Sequence, residues 1–273
     1  MFFDGVLLRS DEVRISPFDM GMTVGDGVFE TLLVRDGEVF AFSRHFARLQ
    51  NSAALLGMEV PEKEILREQA SVLIQARAVK RGRLRITLIT GVPEDGFSRL
   101  LENQRVLMTL GKIAAKTTRA KVLLSQARRF SDAISSRAKT LSYGENVWAL
   151  RAGHARGADE VLLANERGEL CEGAMSNVFF LKKGVWHTPP LSSGCLPGIT
   201  RALVDEILAM GNSKCHHESV EIKDLGEIEE MVLTSSLRGV QPVDCLEGRR
   251  LDMSEGKKLA LRYEDLVAAQ NDP

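Results

Sequence analysis

The stretch "GVFETLLVRDGEVFAFSRHFARLQNSAALLG", residues 27–57, confines the fold more than any other. Two apolar runs flank the turn signal Arg35-Asp36-Gly37, which predicts a β-hairpin. Immediately after it the apolar period lengthens. Phe46, Leu49, Ala53 and Leu56 fall on one helical face, with Ser43 placed to cap the helix and Gly57 to stop it. A hairpin feeding an amphipathic helix requires a layered fold of helix on sheet, because each element has an apolar side to cover.

The alternation continues along the chain. Pro61 suits the first turn of a second helix, in which Ile65, Val72, Leu73, Ala76 and Val79 recur at helical spacing. "RLRITLIT" alternates Leu84, Ile86 and Leu88 with polar partners, the pattern of a half-buried strand. A polar loop, "GVPEDGFSRLLENQ", precedes the strand "RVLMTLG". The aperiodic "KIAAKTTR" then divides an N-terminal domain, 1–113, from a larger C-terminal domain, 120–273, through a linker at 114–119. The second part offers strands in "AKVLLS", "EVLLA", "NVFFL" and "MVLT". Its helices lie around Asn146 to Arg156, in "RALVDEILAMG" and from Ser254. The chain is a mixed α/β (α+β) protein with no internal repeat.

Composition narrows the function. With 36 basic and 37 acidic residues there is no global attraction to a polyanion, so no nucleic-acid partner is expected. Cys171, Cys195, Cys215 and Cys245 form no CxxC pair and read as reduced thiols of a cytoplasmic protein. His45, His154, His187, His216 and His217 have no metal-like spacing; they read as structural or surface residues, and no metal is expected. The start, "MFFDGVLLRSDEVRIS", carries Asp4, Arg9 and Asp11 and lacks the pattern of a signal peptide. No run approaches the roughly 20 apolar residues that span a bilayer, so no membrane association is expected.

Four stretches have residues suited to chemistry. In "RAKTLSYGENVWA" Lys139 is either a solvated charge or an amine tuned for covalent work. "GCLPGITRALVDEIL" delivers an irregular loop into a helix, offering backbone N–H groups and the Thr200 hydroxyl to a phosphate, or else a plain capped loop. "LTSSLRGVQP" ends a strand in Ser235 and Ser236, two further hydroxyls. In "ELCEGAMSNVFFL" Glu172 lies among small residues that would admit a flat ligand. A lysine, a carboxylate and an anion cradle are the parts that a pyridoxal phosphate enzyme uses.

The order of these motifs resembles the class IV aminotransferases, the pyridoxal phosphate enzymes of fold type IV. The resemblance runs from "MTVGDGVFETLLVRDGEVF" and "RHFARL" through "KTLSYGENV", "DEVLLANERGELCEGAMSNVF" and "LPGITR" to "TSSLRGVQPV". It implies a two-domain fold like that of the D-amino acid aminotransferases, with the cofactor in the cleft between the domains, and a homodimer. It also implies that Lys139 forms the Schiff base and shuttles protons, and that Glu172 faces the pyridine nitrogen. Arg48, Ile199, Thr200, Ser235 and Ser236 would hold the phosphate. Leu196 would lie behind the ring and Tyr143 near its phenolic oxygen.

Within the family, "TSSLRGV" is nearer to the Thr-Asn-Ser-Leu of aminodeoxychorismate lyases, which release pyruvate and 4-aminobenzoate for folate synthesis, than to the Gly-Thr-Ala of branched-chain aminotransferases. The loop "VPEDGFSR" holds Arg99 and no histidine, unlike the D-amino acid enzymes. The lyase is the expected activity, with transamination of branched-chain or D-amino acids as the alternative. A cofactor-free binding protein on the same fold is a third reading. Arg238 and Arg137 are the candidate partners for a substrate carboxylate.

Overall fold

A computed structural model of the chain describes residues 1–93, 103–113, 117–211 and 215–273. The chain divides into two compact units. The first comprises Met1–Ala114, Ala138–Tyr143 and Gln270–Pro273; the second comprises Ala115–Arg137 and Gly144–Ala269.

In the first unit the described elements are β1 (Phe2–Phe3), β2 (Val6–Leu7), α1 (Met20–Thr23), β3 (Gly27–Arg35), β4 (Glu38–Val39), α2 (Phe42–Leu55), α3 (Lys63–Arg77), β5 (Arg81–Ile89) and β6 (Arg105–Gly111). The strands form a sheet in the order β2-β1-β6-β5-β3-β4. The predicted hairpin is β3–β4, and its turn takes Asp36 and Gly37 to φ values of 51° and 85°, the left-handed pair that matches strand twist. Val28, Leu32 and Val34 of β3 and Leu84, Ile86 and Leu88 of β5 share a core with Phe42, Leu49, Leu66 and Leu73.

Two local expectations change. Ser43 lies inside α2, not at its N-cap, which is Ala41 in the left-handed region. The Ser43 N–H and hydroxyl donate to the Asp272 carboxylate at 2.8 and 2.6 Å, so an acid from the far end of the chain meets the helix N-terminus. In α3 the buried stripe is Leu66, Ala70, Leu73 and Ile74, whereas Ile65 and Val72 are exposed. The segment is apolar enough to offer two overlapping stripes, and spacing i, i+4, i+7, i+8 wins.

The second unit comprises β7 (Ala120–Arg129), α4 (Ile134–Arg137), α5 (Gly144–Ala155), β8 (Glu160–Asn165), β9 (Leu170–Gly173), β10 (Asn177–Lys182), β11 (Val185–Thr188), α6 (Ile199–Met210), β12 (His216–His217), β13 (Glu230–Ser235), β14 (Gly239–Leu246), β15 (Arg249–Arg250) and α7 (Ser254–Ala269). Its sheet runs β12-β11-β10-β13-β14-β7-β8-β9, with β15 on β14. The β7–β8 and β7–β14 pairs are parallel and need crossovers; α5 lies in the first of them. Leu203, Val204, Ile207 and Leu208 are the buried face of α6, as their spacing predicts. The buried Glu230 accepts the Glu255 and Gly256 N–H groups at 3.0 and 2.8 Å and anchors the first turn of α7. Among the described residues no helix is long and apolar enough to cross a membrane.

Candidate active site

Lys139 belongs to the first unit. Its carbonyl accepts the Phe29 N–H at 2.9 Å, and its own N–H donates to Ser52 Oγ at 3.1 Å. Thr140 bridges Val28. These backbone ties fix where the side chain starts. The half-buried ammonium then lies 4.5 Å from the centre of the Phe29 ring and 5.3 Å from that of Tyr143, and the two rings meet edge to face.

A second cation shares this surface. Phe29 pairs with Thr87 across β3 and β5, so Arg85, two residues earlier on β5, is its diagonal neighbour on the same sheet face. Arg85 Cζ is 3.7 Å from the centre of the Phe29 ring, and Nε donates to Thr87 Oγ1 at 3.2 Å. Burial, with the Arg83 charge, holds the Arg85 pKa below the usual arginine value. The polar side of "RLRITLIT" is therefore covered beyond the exposed Arg83: Thr87 is buried and Arg85 half-buried. A two-residue period cannot tell water on that side from a site.

Arg48 is buried in α2 and makes a bidentate pair with Glu30 of β3, at 2.7 and 2.8 Å. His45, one turn earlier, is 2.6 Å from the same carboxylate. Burial opposes the Glu30 charge, but Arg48 and His45 outweigh it and hold the carboxyl well below the usual range. Burial lowers the His45 pKa against the pull of Glu30, with the Arg48 and Lys139 charges adding to it. Neutral His45 thus donates Nδ1–H to Glu30.

In the second unit Glu172 sits buried on β9 within a closed set of donors. Arg129 Nη2 is 2.7 Å from Oε1; the Leu196 N–H and Asn177 Nδ2 donate to Oε2 at 2.9 and 3.3 Å. Asn177 Nδ2 also reaches the Leu196 carbonyl at 2.8 Å, so one amide locks the carboxylate to the loop that leads into α6. Cys171 and Cys195 are small buried packers beside it. Burial, helped by the Glu172 charge, pushes the Cys195 thiol up to about 11 and the Cys171 thiol higher still.

That loop ends in Gly198, the N-cap of α6, which makes no side-chain cap. Ile199 and Thr200 open the helix, both buried. No side chain caps it; Tyr263, beside Thr200, has its pKa pushed up to about 12, chiefly by burial. A Cβ on Gly198 would stand 1.8 Å from Asn177 Oδ1. Gly198→Ala is accordingly expected to displace Asn177 and to cost about 1–3 kcal/mol of stability, read by urea unfolding; an unchanged midpoint would show that the loop has room. Asn177 pairs with Thr234 across β10 and β13, which places Ser235 and Ser236, both half-buried, on the same rim.

The two arginines proposed for a substrate carboxylate have carboxylates already. Arg238 Nη1 is 2.8 Å from Glu160, a fully buried acid whose pKa burial raises against that pairing. Arg137 is an exposed residue, 3.1 Å from the exposed Asp132. Arg99 and part of the 114–119 linker lie outside the described residues. Sequence reasoning passed over Arg85, Glu30, Asn177 and Arg129. The motifs "VFE" and "SNVF" hold two of them; Arg85 and Arg129 carry no local signal, since only pairing across strands reveals their neighbours.

Each unit has residues whose chemistry fits a part of pyridoxal phosphate: in the first a half-buried amine on aromatic faces, in the second a buried carboxylate held in one orientation and a helix N-terminus without a side-chain cap. The family model "Amino-transferase class IV" matches residues 27–245. The chain is 26% identical over 275 residues to a putative branched-chain-amino-acid aminotransferase of Methanocaldococcus jannaschii, covering 97% of this chain and 96% of that one. It is 28% identical to the bifunctional aminodeoxychorismate lyase / D-amino acid transaminase of Mycobacterium tuberculosis, covering 91% of each. The branched-chain aminotransferase of Thermoproteus uzoniensis superposes with a TM-score of 0.91 at 24% identity, over 97% of this chain and 93% of that one, which establishes the fold. With a matched span running from β3 to β14, the chain belongs to the class IV aminotransferases, pyridoxal phosphate enzymes of fold type IV.

Proposed function

We propose that the chain removes a proton from the amine-bearing carbon of a small carboxylate, and that its substrate is aminodeoxychorismate, cleaved to pyruvate and 4-aminobenzoate. The observation that carries the chemistry is the pairing of Lys139 and Arg85 on the Phe29 ring: an amine and a guanidinium in one place suit a substrate that is an amine and a carboxylate. In this reading Arg85, not Arg238 or Arg137, takes the carboxylate, because it shares the Phe29 ring with Lys139.

Pyridoxal phosphate, when bound, supplies a carbonyl carbon for amines and a ring that withdraws electrons from the carbon bearing the nitrogen. Glu172 would hold the ring nitrogen, and the donors around Glu172 keep its carboxylate aimed. Arg48, Ile199, Thr200, Ser235 and Ser236 would hold the phosphate, with Leu196 behind the ring and Tyr143 at its phenolic oxygen. Lys139 Nζ would link the cofactor and would be the base for the substrate proton. The rings of Phe29 and Tyr143 keep water from one side of it and favour transfer to a positioned atom.

The segment Thr234-Ser235-Ser236-Leu237 and the bifunctional relative support the lyase. Transamination of a branched-chain or D-amino acid is the second reading, favoured by the archaeal relative. The protein acts as a cytoplasmic homodimer in both. Purified protein is to be offered aminodeoxychorismate, and separately an amino acid with a 2-oxo acid. Pyruvate and 4-aminobenzoate are expected; a new amino acid alone would replace the lyase with a transaminase. A colourless protein that takes up no pyridoxal phosphate would overturn both.

A further inference from the structure

The histidines look scattered in sequence, but β11 and β12 gather three of them. These strands pair in parallel with His187 opposite His216 and Thr188 opposite His217. Opposed residues share a sheet face and successive residues alternate, so His216 joins His187 on one side while His217 points to the other. The rings of His187 and His216 lie 5.2 Å apart, edge to face. Glu218 follows at once, tied by its N–H to the Thr188 carbonyl at 3.1 Å.

His187 is the informative member. Its residue is 8% exposed, and its ring is stacked on the buried Phe180 with centres 5.3 Å apart, which fixes the ring plane. Its Nδ1 is buried and makes no hydrogen bond, although Glu218 Oε2 is 3.1 Å away; the oxygen stands off the direction in which the nitrogen bonds. A buried ring nitrogen left so is costly and normally has a partner. The side-chain ligand atoms of His187, His216 and Glu218 all lie within 4.8 Å of one another. Around a tetrahedral zinc ion, with bonds of about 2.0–2.1 Å, neighbouring ligands stand roughly 3.3 Å apart. The exposed His216 and Glu218 side chains can close that difference while His187 stays fixed.

We propose that His187, His216 and Glu218 form a binding site for a divalent transition-metal ion of the zinc class, which clips the edge strand β12 to β11. Two imidazoles and one carboxylate suit zinc, cobalt, nickel or copper and not magnesium or calcium, which prefer all-oxygen sets. A second cluster, Asp205, Cys215 and His217, occupies the other side of β12. It competes poorly: His217 Nε2 is already 2.8 Å from Asp205, so a metal must break an ion pair there. The site is independent of the reaction proposed above.

The test uses the full, cofactor-loaded chain without a polyhistidine tag, titrated with zinc in a calorimeter and with cobalt in a spectrophotometer. One zinc per chain is expected, with a rise in melting temperature. His216→Gln and Glu218→Gln, both exposed and safe for folding, should each weaken zinc binding by about 100-fold and abolish the melting shift, since even outer partners of a metal are worth 10–100-fold. His217→Gln should bind as the wild type does. No saturable zinc uptake, uptake unchanged in the first two variants, uptake lost in His217→Gln, or a sulfur-to-cobalt charge-transfer band would each overturn the proposal.

Discussion

Alanine in place of Lys139 is expected to lower turnover by about 10⁴-fold or more, the upper range for a single positioned base, because in the proposed reaction the same Nζ would also link the cofactor. The yellow absorbance of the loaded protein, and its bleaching by borohydride, should vanish with it. The fold should persist. What Lys139 contributes through Phe29 and Tyr143 is about 0.5–1 kcal/mol per ring, while the hydrogen bonds at its backbone survive the substitution. Near wild-type turnover in a variant with unchanged circular dichroism would remove Lys139 from the mechanism.

The largest stability effect should come from Glu30. Glu30→Ala leaves the Arg48 guanidinium buried without the carboxylate that meets it at two points, a loss of about 3–5 kcal/mol for a broken buried pair. Thermal and urea unfolding read it directly, and an undiminished melting temperature would show that Arg48 draws its support elsewhere. The pH dependence has a definite sign. Glu30 has a lower pKa folded than unfolded, so its contribution is complete above about 4.3 and is lost as pH falls further. His45 is also lowered: the unfolded chain takes up its proton near 6.5 and the folded one does not, so stability declines from there downward. Both effects weaken the protein in acid, His45 first. His45→Gln should flatten the decline that begins near pH 6.5 and spare the one below about 4.3.

Much of the architecture was legible because local signals agreed with it. Turn chemistry at Asp36-Gly37 marked the β3–β4 hairpin, and the stripe from Leu203 to Leu208 marked the inner face of α6. Legibility failed where the deciding partner is distant. Ser43 has the chemistry of a cap, yet its acceptor is Asp272; α3 shows two apolar stripes, and only the sheet it packs on chooses between them. The candidate site divides in the same way. Lys139 and Glu172 stood out through their motifs. Arg85 and His187 did not, because each acquires its meaning from a neighbouring strand, and strand pairing has no signature in linear spacing.

One consequence concerns the order in which the second unit can be built. β14 joins β7-β8-β9 to β13-β10-β11-β12, and it does so by pairing with β7, whose residues precede it by more than a hundred positions. During synthesis the two halves can each form hairpins, but the sheet stays in two pieces until Leu246 has left the ribosome. Closure then requires a long loop to be drawn in at once, a slow and entropically costly step. In the interval the flanks of β7 and β13 are unpaired templates for other chains. Dependence on chaperones should therefore be concentrated between the emergence of β7 and that of β14, and slowing the ribosome in that interval should lower soluble yield more than slowing it after β14.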